Sequence, residues 1–221
     1  LIGSLLLISF VLIPGILKGY SPVLISIAVA SLISIVGSYV THGFNRMTSA
    51  TVLGMITTVV ITGILSAISV SVAHLTGVTS DESVYLNLNT SGALNMSGIL
   101  LGGILIGLLG VLYDAAVAQS VAIEELCRAN PNMDKKELFA RGMRIGREHI
   151  GALVDTLAIA YVGVSLRLLL LFASGSWESP LVTINREHFT TEILRTFVGS
   201  IGLILAVPIT TWIAVKMLHG R

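Results

Sequence analysis

One carboxylate stands where carboxylates are rare: Asp114 lies inside the apolar run 97–122. At about 1.5 Å per helical residue, that run is long enough to cross a bilayer. A charge at such depth costs roughly 2.5 kcal/mol or more in insertion free energy, which marks the residue for taking up and releasing a proton. At about 100° per residue, Gly103, Gly107, Gly110, Asp114, Ala118 and Glu125 fall within roughly 40° of one line. A stripe without bulk lets another helix approach closely, which predicts that Asp114 is buried against a partner helix and that Glu125 ends the same track. Asp155 sits in the next apolar run, about one and a half turns from its cytoplasmic end. Neighbouring helices often pack side by side, so Asp114 and Asp155 are expected to approach or to share a cavity. Two carboxylates brought together do not both keep their charge, which is what a proton relay requires. Arg167, further out on that run, either pairs with an acid across the bundle or snorkels outward to anchor the helix.

Other chemistries fit less of the pattern. Tyr113-Asp114 on one helix and Gly151-Ala-Leu-Val-Asp155 on the next are similar to the YD and GxGD signatures of presenilin-like intramembrane proteases, in which paired aspartates activate water. The second glycine and the Pro-Ala-Leu element are missing. Gly199-Ser-Ile-Gly202 has no histidine at matching depth to activate the serine. The five histidines are scattered without metal-ligand spacing, and Cys127 is the only cysteine, so no metal and no cofactor is implied. No basic patch interleaved with aromatics points to nucleic acid. A non-catalytic scaffold, with Asp114 satisfying interhelical hydrogen bonds, is the alternative to transport.

The elements that must position these residues are helical and membranous. The chain is 54% hydrophobic and 11% charged, against about 25% charged in soluble domains, and its mean hydropathy is +0.91. An all-α polytopic bundle of about six spans is expected, at 2–17, 23–40, 48–76, 97–122, 150–173 and 193–218, forming a single domain over 1–221. Residue 1 falls inside an apolar run and is not a methionine, so the chain reads as part of a longer protein. The link 124–148 carries Arg128, Lys135, Lys136, Arg141, Arg144 and Arg147, whereas 77–95 carries no lysine or arginine. The positive-inside rule then places that link in the cytoplasm of a cell-membrane protein, with Arg46, Lys216, Arg221 and both termini. After the turn Asn130-Pro131-Asn132, an amphipathic helix from about Asp134 is expected to lie on the headgroups.

Outside, the link 174–192 should end in a helix capped by Thr183 or Asn185. Glu187, Glu192 and Arg195 on that helix are candidates for a polar vestibule. In the sixth span Gly199 and Gly202 invite close packing, and Pro208 predicts a kink or a break. The bilayer is the expected partner, with an extracytoplasmic domain or a further subunit beside it.

Three stretches carry a family resemblance: Gly110-Val-Leu-Tyr-Asp-Ala-Ala-Val-Ala-Gln-Ser120, Gly151-Ala-Leu-Val-Asp-Thr-Leu-Ala-Ile-Ala-Tyr-Val-Gly163 and Glu192-Ile-Leu-Arg-Thr-Phe-Val-Gly-Ser-Ile-Gly202. Together they resemble the YibE/F family of bacterial membrane proteins from about Lys18 onward. The resemblance implies a multi-pass membrane domain behind an amino-terminal anchor and an extracytoplasmic region, and it brings no established chemistry. It also implies an asparagine where this chain has Asp155. In arrangement the chain is similar to the export components SecD and SecF and to proton-driven RND permeases, which place an acid in the fourth helix of a six-helix bundle.

Overall fold

A computed structural model describes residues 2–174 and 179–219, and among these every regular element is helical. The helices are α1 (Ile2–Leu7), α2 (Ile13–Leu17), α3 (Pro22–His42), α4 (Arg46–Val72), α5 (Asp81–Asn89), α6 (Met96–Ala129), α7 (Lys135–Val164), α8 (Leu166–Ala173), α9 (Pro180–Ile184) and α10 (Glu187–Leu218). Four of them, α3, α4, α6 and α10, are long and apolar enough to cross a membrane, and a fifth crossing results if the bent pair α7–α8 is one span. The protein is therefore a multi-pass α-helical membrane protein.

The six expected spans change at two places. Ile2–Leu17 is a shorter apolar helix, joined through a π-helical turn at Ile8–Leu12. The fifth expected span, 150–173, is neither separate nor straight. Its helix begins at Lys135, where Asp134 caps the N-terminus by accepting from the Lys136 amide, and it runs unbroken to Val164 before bending by 66° into α8. The amphipathic link helix and the span are thus one element. Gly142 and Gly146, four residues apart on one face, let α7 dock upright against α6 and α10: a methyl carbon at Gly142 would meet the Ile123 and Thr211 side chains, and one at Gly146 those of Val207 and Gln119. Gln119 Nε2 donates to the Gly142 carbonyl at 2.7 Å across this contact. Below it, Met47, Ile123, Met133, Leu138, Val215 and Leu218 close an apolar core at the basic end of the bundle.

The central core is built by leucine knobs of α6 entering glycine holes on its neighbours. Leu108 lies over Gly199 of α10, and Leu105 over Gly63 of α4. Between α4 and α10 the fit is reciprocal, with Thr210 seated on Gly54 and Thr62 on Gly202. Membrane helices have no hydrophobic force to join them, so close packing of this kind is what holds them together. Gly199 and Gly202 are thus two of the holes in this packing. Helix α10 continues through Pro208, and no break is made there. By contrast α3 is peripheral: 28% of its apolar window is buried, against 56% for α6 and for α10.

The links at the end opposite the basic segment are partly helical. Residues 77–95 contain the short helix α5, closed by a capping box between Ser80 and Ser83. Neither Thr183 nor Asn185 caps α10; Thr183 lies inside α9, whose own cap is Ser179, and α10 starts after Arg186 without a side-chain cap. Arg221 lies outside the described residues, as does part of the link 174–192.

Candidate functional site

Asp114 projects from α6 into a groove of about 430 Å³ walled by α1, α3, α4 and α6, with Ser4, Ser34, Thr41 and Tyr113 as its other polar groups. The expectation of burial fails: Asp114 is exposed, and it has no hydrogen-bond or ion-pair partner among the described residues. The Tyr113 hydroxyl, 3.5 Å from His42 Nδ1, joins α6 to the end of α3 beside it. The glycine stripe is open as well. A methyl carbon at Gly103 or Gly110 would meet nothing within 4 Å, and one at Gly107 only the Tyr161 hydroxyl, 3.8 Å away. The reason is the leucine face opposite, which fills the glycine holes of α4 and α10 and so turns the small-residue face of α6 outward.

The two aspartates are not brought together. Leu157 is buried in the core, and Asp155, two residues before it, lies about 160° round α7 on the outward face, exposed and without a partner among the described residues. No residue of α7 lines the Asp114 groove. That arrangement removes the geometry a di-aspartyl site needs. Glu125 is engaged elsewhere: it and Glu124 each lie 3.1 Å from the Arg128 guanidinium.

Arg167 is exposed on α8, beyond the bend. It adds a minor attraction to Glu82 of α5, whose carboxyl is held below its ordinary value chiefly by hydrogen bonding with the Ser80 side chain and then by a backbone amide. It forms no salt bridge among the described residues.

At the opposite end from the basic link, the three expected vestibule residues divide into two structures. Glu187, at the first turn of α10, accepts from the amides of Thr76 and Gly77 at 2.6 and 2.8 Å and from the Thr76 hydroxyl at 2.8 Å. This clasp fastens the turn after α4, where Gly77 has φ +80 and a methyl carbon would run into the Met96 carbonyl. Glu192 and Arg195 form a half-buried pair at 3.1 Å, and the Ser165 hydroxyl donates to Glu192 at 2.9 Å. Ser165 is the residue at which α7 bends into α8, so the pair holds the bend. Neither the role of Ser165 nor the clasp partner Thr76 is visible in the sequence, because both depend on carboxylates far along the chain.

A model of the YibE/F-like protein family matches residues 1–220, and the chain belongs to that family. Comparison with curated proteins finds no match, and comparison with solved structures finds none.

Proposed function

Starting from membership of the YibE/F-like family, we propose that this chain is the membrane domain of a secondary transporter or proton-coupled translocation component, with Asp114 as its proton carrier. In this reading it lies in the cell membrane with the basic link and both ends in the cytoplasm, and an extracytoplasmic domain or partner subunit completes it. The observation that carries the proposal is a carboxylate in an apolar span that has no cation partner among the described residues. Such a group is stabilised by a proton or by water entering the groove, and a proton is transported when it is taken up from one side of the membrane and released to the other. The peripheral helix α3 forms the movable wall, and Tyr113 with His42 offers a polar exit at its end. Asp155 and Glu125 take no part.

The experiment is proton flux into vesicles containing the full-length protein, read by an entrapped pH dye under a potassium diffusion potential. Asp114→Asn keeps shape and polarity but cannot carry a proton, and flux should fall at least tenfold, on the order of one lost proton-transfer group. Undiminished flux in this variant would refute the proposal. The open glycine face supports a second reading, in which α6 receives a helix of another subunit and the chain is a scaffold. There Asp114→Asn is harmless and Gly107→Leu abolishes assembly, as read by cross-linking in the membrane.

A further inference from the structure

At the basic end of the bundle, far from Asp114 along α6, two surface grooves meet at one tryptophan. The first, about 400 Å³, is lined by Lys135, Lys136 and Phe139 of α7 and by Trp212, Val215 and Lys216 of α10. The second, about 380 Å³, continues from Trp212 along α10 past Ile209 to Pro208, with Thr57 of α4 on its other side. From Lys216 to Pro208 the helix rises about 12 Å, and Pro208, Ile209, Trp212 and Lys216 share one face of it. The combined slot is therefore apolar along the helix and cationic at one end. Trp212 is 58% exposed, and the Lys216 ammonium lies 5.0 Å from its ring centroid.

The charge at that end is unopposed. Arg128 and Arg141 are each matched by a glutamate, whereas Lys135, Lys136 and Lys216 have no ion-pair partner among the described residues. Of the two acids that flank Lys135 and Lys136, Glu137 is taken by Arg141, and Asp134 is turned onto the helix start, where it accepts from the Lys136 amide at 3.1 Å. Three ammonium groups without an ion-pair partner among the described residues, beside a tryptophan and an apolar track, match a molecule with an anionic phosphate head and an acyl chain. Lysine and tryptophan at the membrane boundary favour such a head over a zwitterionic one.

We propose that this slot is a specific site for an anionic phospholipid, its phosphate held by Lys135, Lys136 and Lys216 and one acyl chain lying along α10 from Trp212 to Pro208. Trp212 itself reports occupancy. The protein has two tryptophans, so Trp177→Phe leaves Trp212 as the single emitter. The full chain is reconstituted in phosphatidylcholine vesicles doped with bromine-labelled phosphatidylglycerol or, in parallel, bromine-labelled phosphatidylcholine. Phosphatidylglycerol should quench Trp212 at a mole fraction at least about fivefold lower than phosphatidylcholine. The combined change Lys135→Gln, Lys136→Gln and Lys216→Gln should abolish that preference. The three corresponding Lys→Arg changes, which keep charge and fold, should retain it. So should Arg141→Gln, Arg144→Gln and Arg147→Gln together, on the same helix but outside the slot.

Equal quenching by the two lipids would overturn the proposal, as would a preference that survives the lysine changes. Loss of preference in the arginine control would show a general surface charge. Relief of quenching by millimolar glycerol phosphate would assign the lysines to a soluble phosphate ligand instead.

Discussion

Replacing Gly202 by alanine puts a methyl carbon 2.5 Å from Thr62 Oγ1 and 2.8 Å from its Cγ2. Ordinary contacts between such atoms lie near 3.5–4.0 Å, so the overlap is about 1 Å. Thr62 is fully buried on α4 and β-branched, and its χ1 has little room to turn away. The helices must then part, at a cost of roughly 1–3 kcal/mol for overpacking. Alanine returns up to about 1 kcal/mol in helix propensity, which leaves a net loss on the order of 1 kcal/mol. The decisive measurement is a double-mutant cycle with Thr62→Ala, which removes both clashing atoms and leaves only Thr62 Cβ, 3.3 Å from the new methyl. Unfolding followed in detergent micelles should show Gly202→Ala destabilising in the native background and neutral or stabilising beside Thr62→Ala. The expected coupling is about 1–2 kcal/mol. Gly103→Ala and Gly110→Ala, facing open space, should each be neutral or stabilising by up to about 1 kcal/mol. Additive effects of the Gly202 and Thr62 changes, or a large loss at Gly103, would refute the assignment of holes and knobs.

Two further outcomes follow from the hydrogen bonds between distant segments. Glu187→Ala leaves the Thr76 and Gly77 amides without their acceptor and should speed amide exchange of residues 74–78 by at least tenfold, while the α4–α10 core keeps its protection. Gln119→Leu removes the cross-helix donor from the Gly142 carbonyl, which keeps its bond within α7, and should cost about 0.5–1.5 kcal/mol in micelle unfolding and expose the start of α7 to protease.

Composition and apolar run length disclosed the helical membrane class, and α3, α4, α6 and α10 were each recognisable because a span needs about 20 apolar residues. The continuity of α7 was not. Glu148 and His149 read as the edge of a link, yet a helix that emerges from the membrane simply continues with polar residues in water. Nor was the bend at Ser165 legible. The run 150–173 is apolar throughout, and the redirected chain is held by a hydrogen bond to Glu192, 27 residues away.

The glycine stripe of α6 faces outward for a physical reason. A glycine marks a hole, but a hole forms a contact only where a neighbour presents a knob, and a stripe of glycines on one helix says nothing about the helix opposite. Here the neighbours α4 and α10 bring their own holes at Gly63 and Gly199, so α6 answers with Leu105 and Leu108 and presents Gly103, Gly107 and Gly110 outward. Asp114 shares the outward stripe by periodicity, and the same choice of face that satisfies the leucines leaves the carboxylate without a partner among the described residues. In the proposed reading its stabilisation comes from a proton, with water in the groove and another polypeptide as the alternatives. Flux through the Asp114→Asn variant separates the proton from the other two.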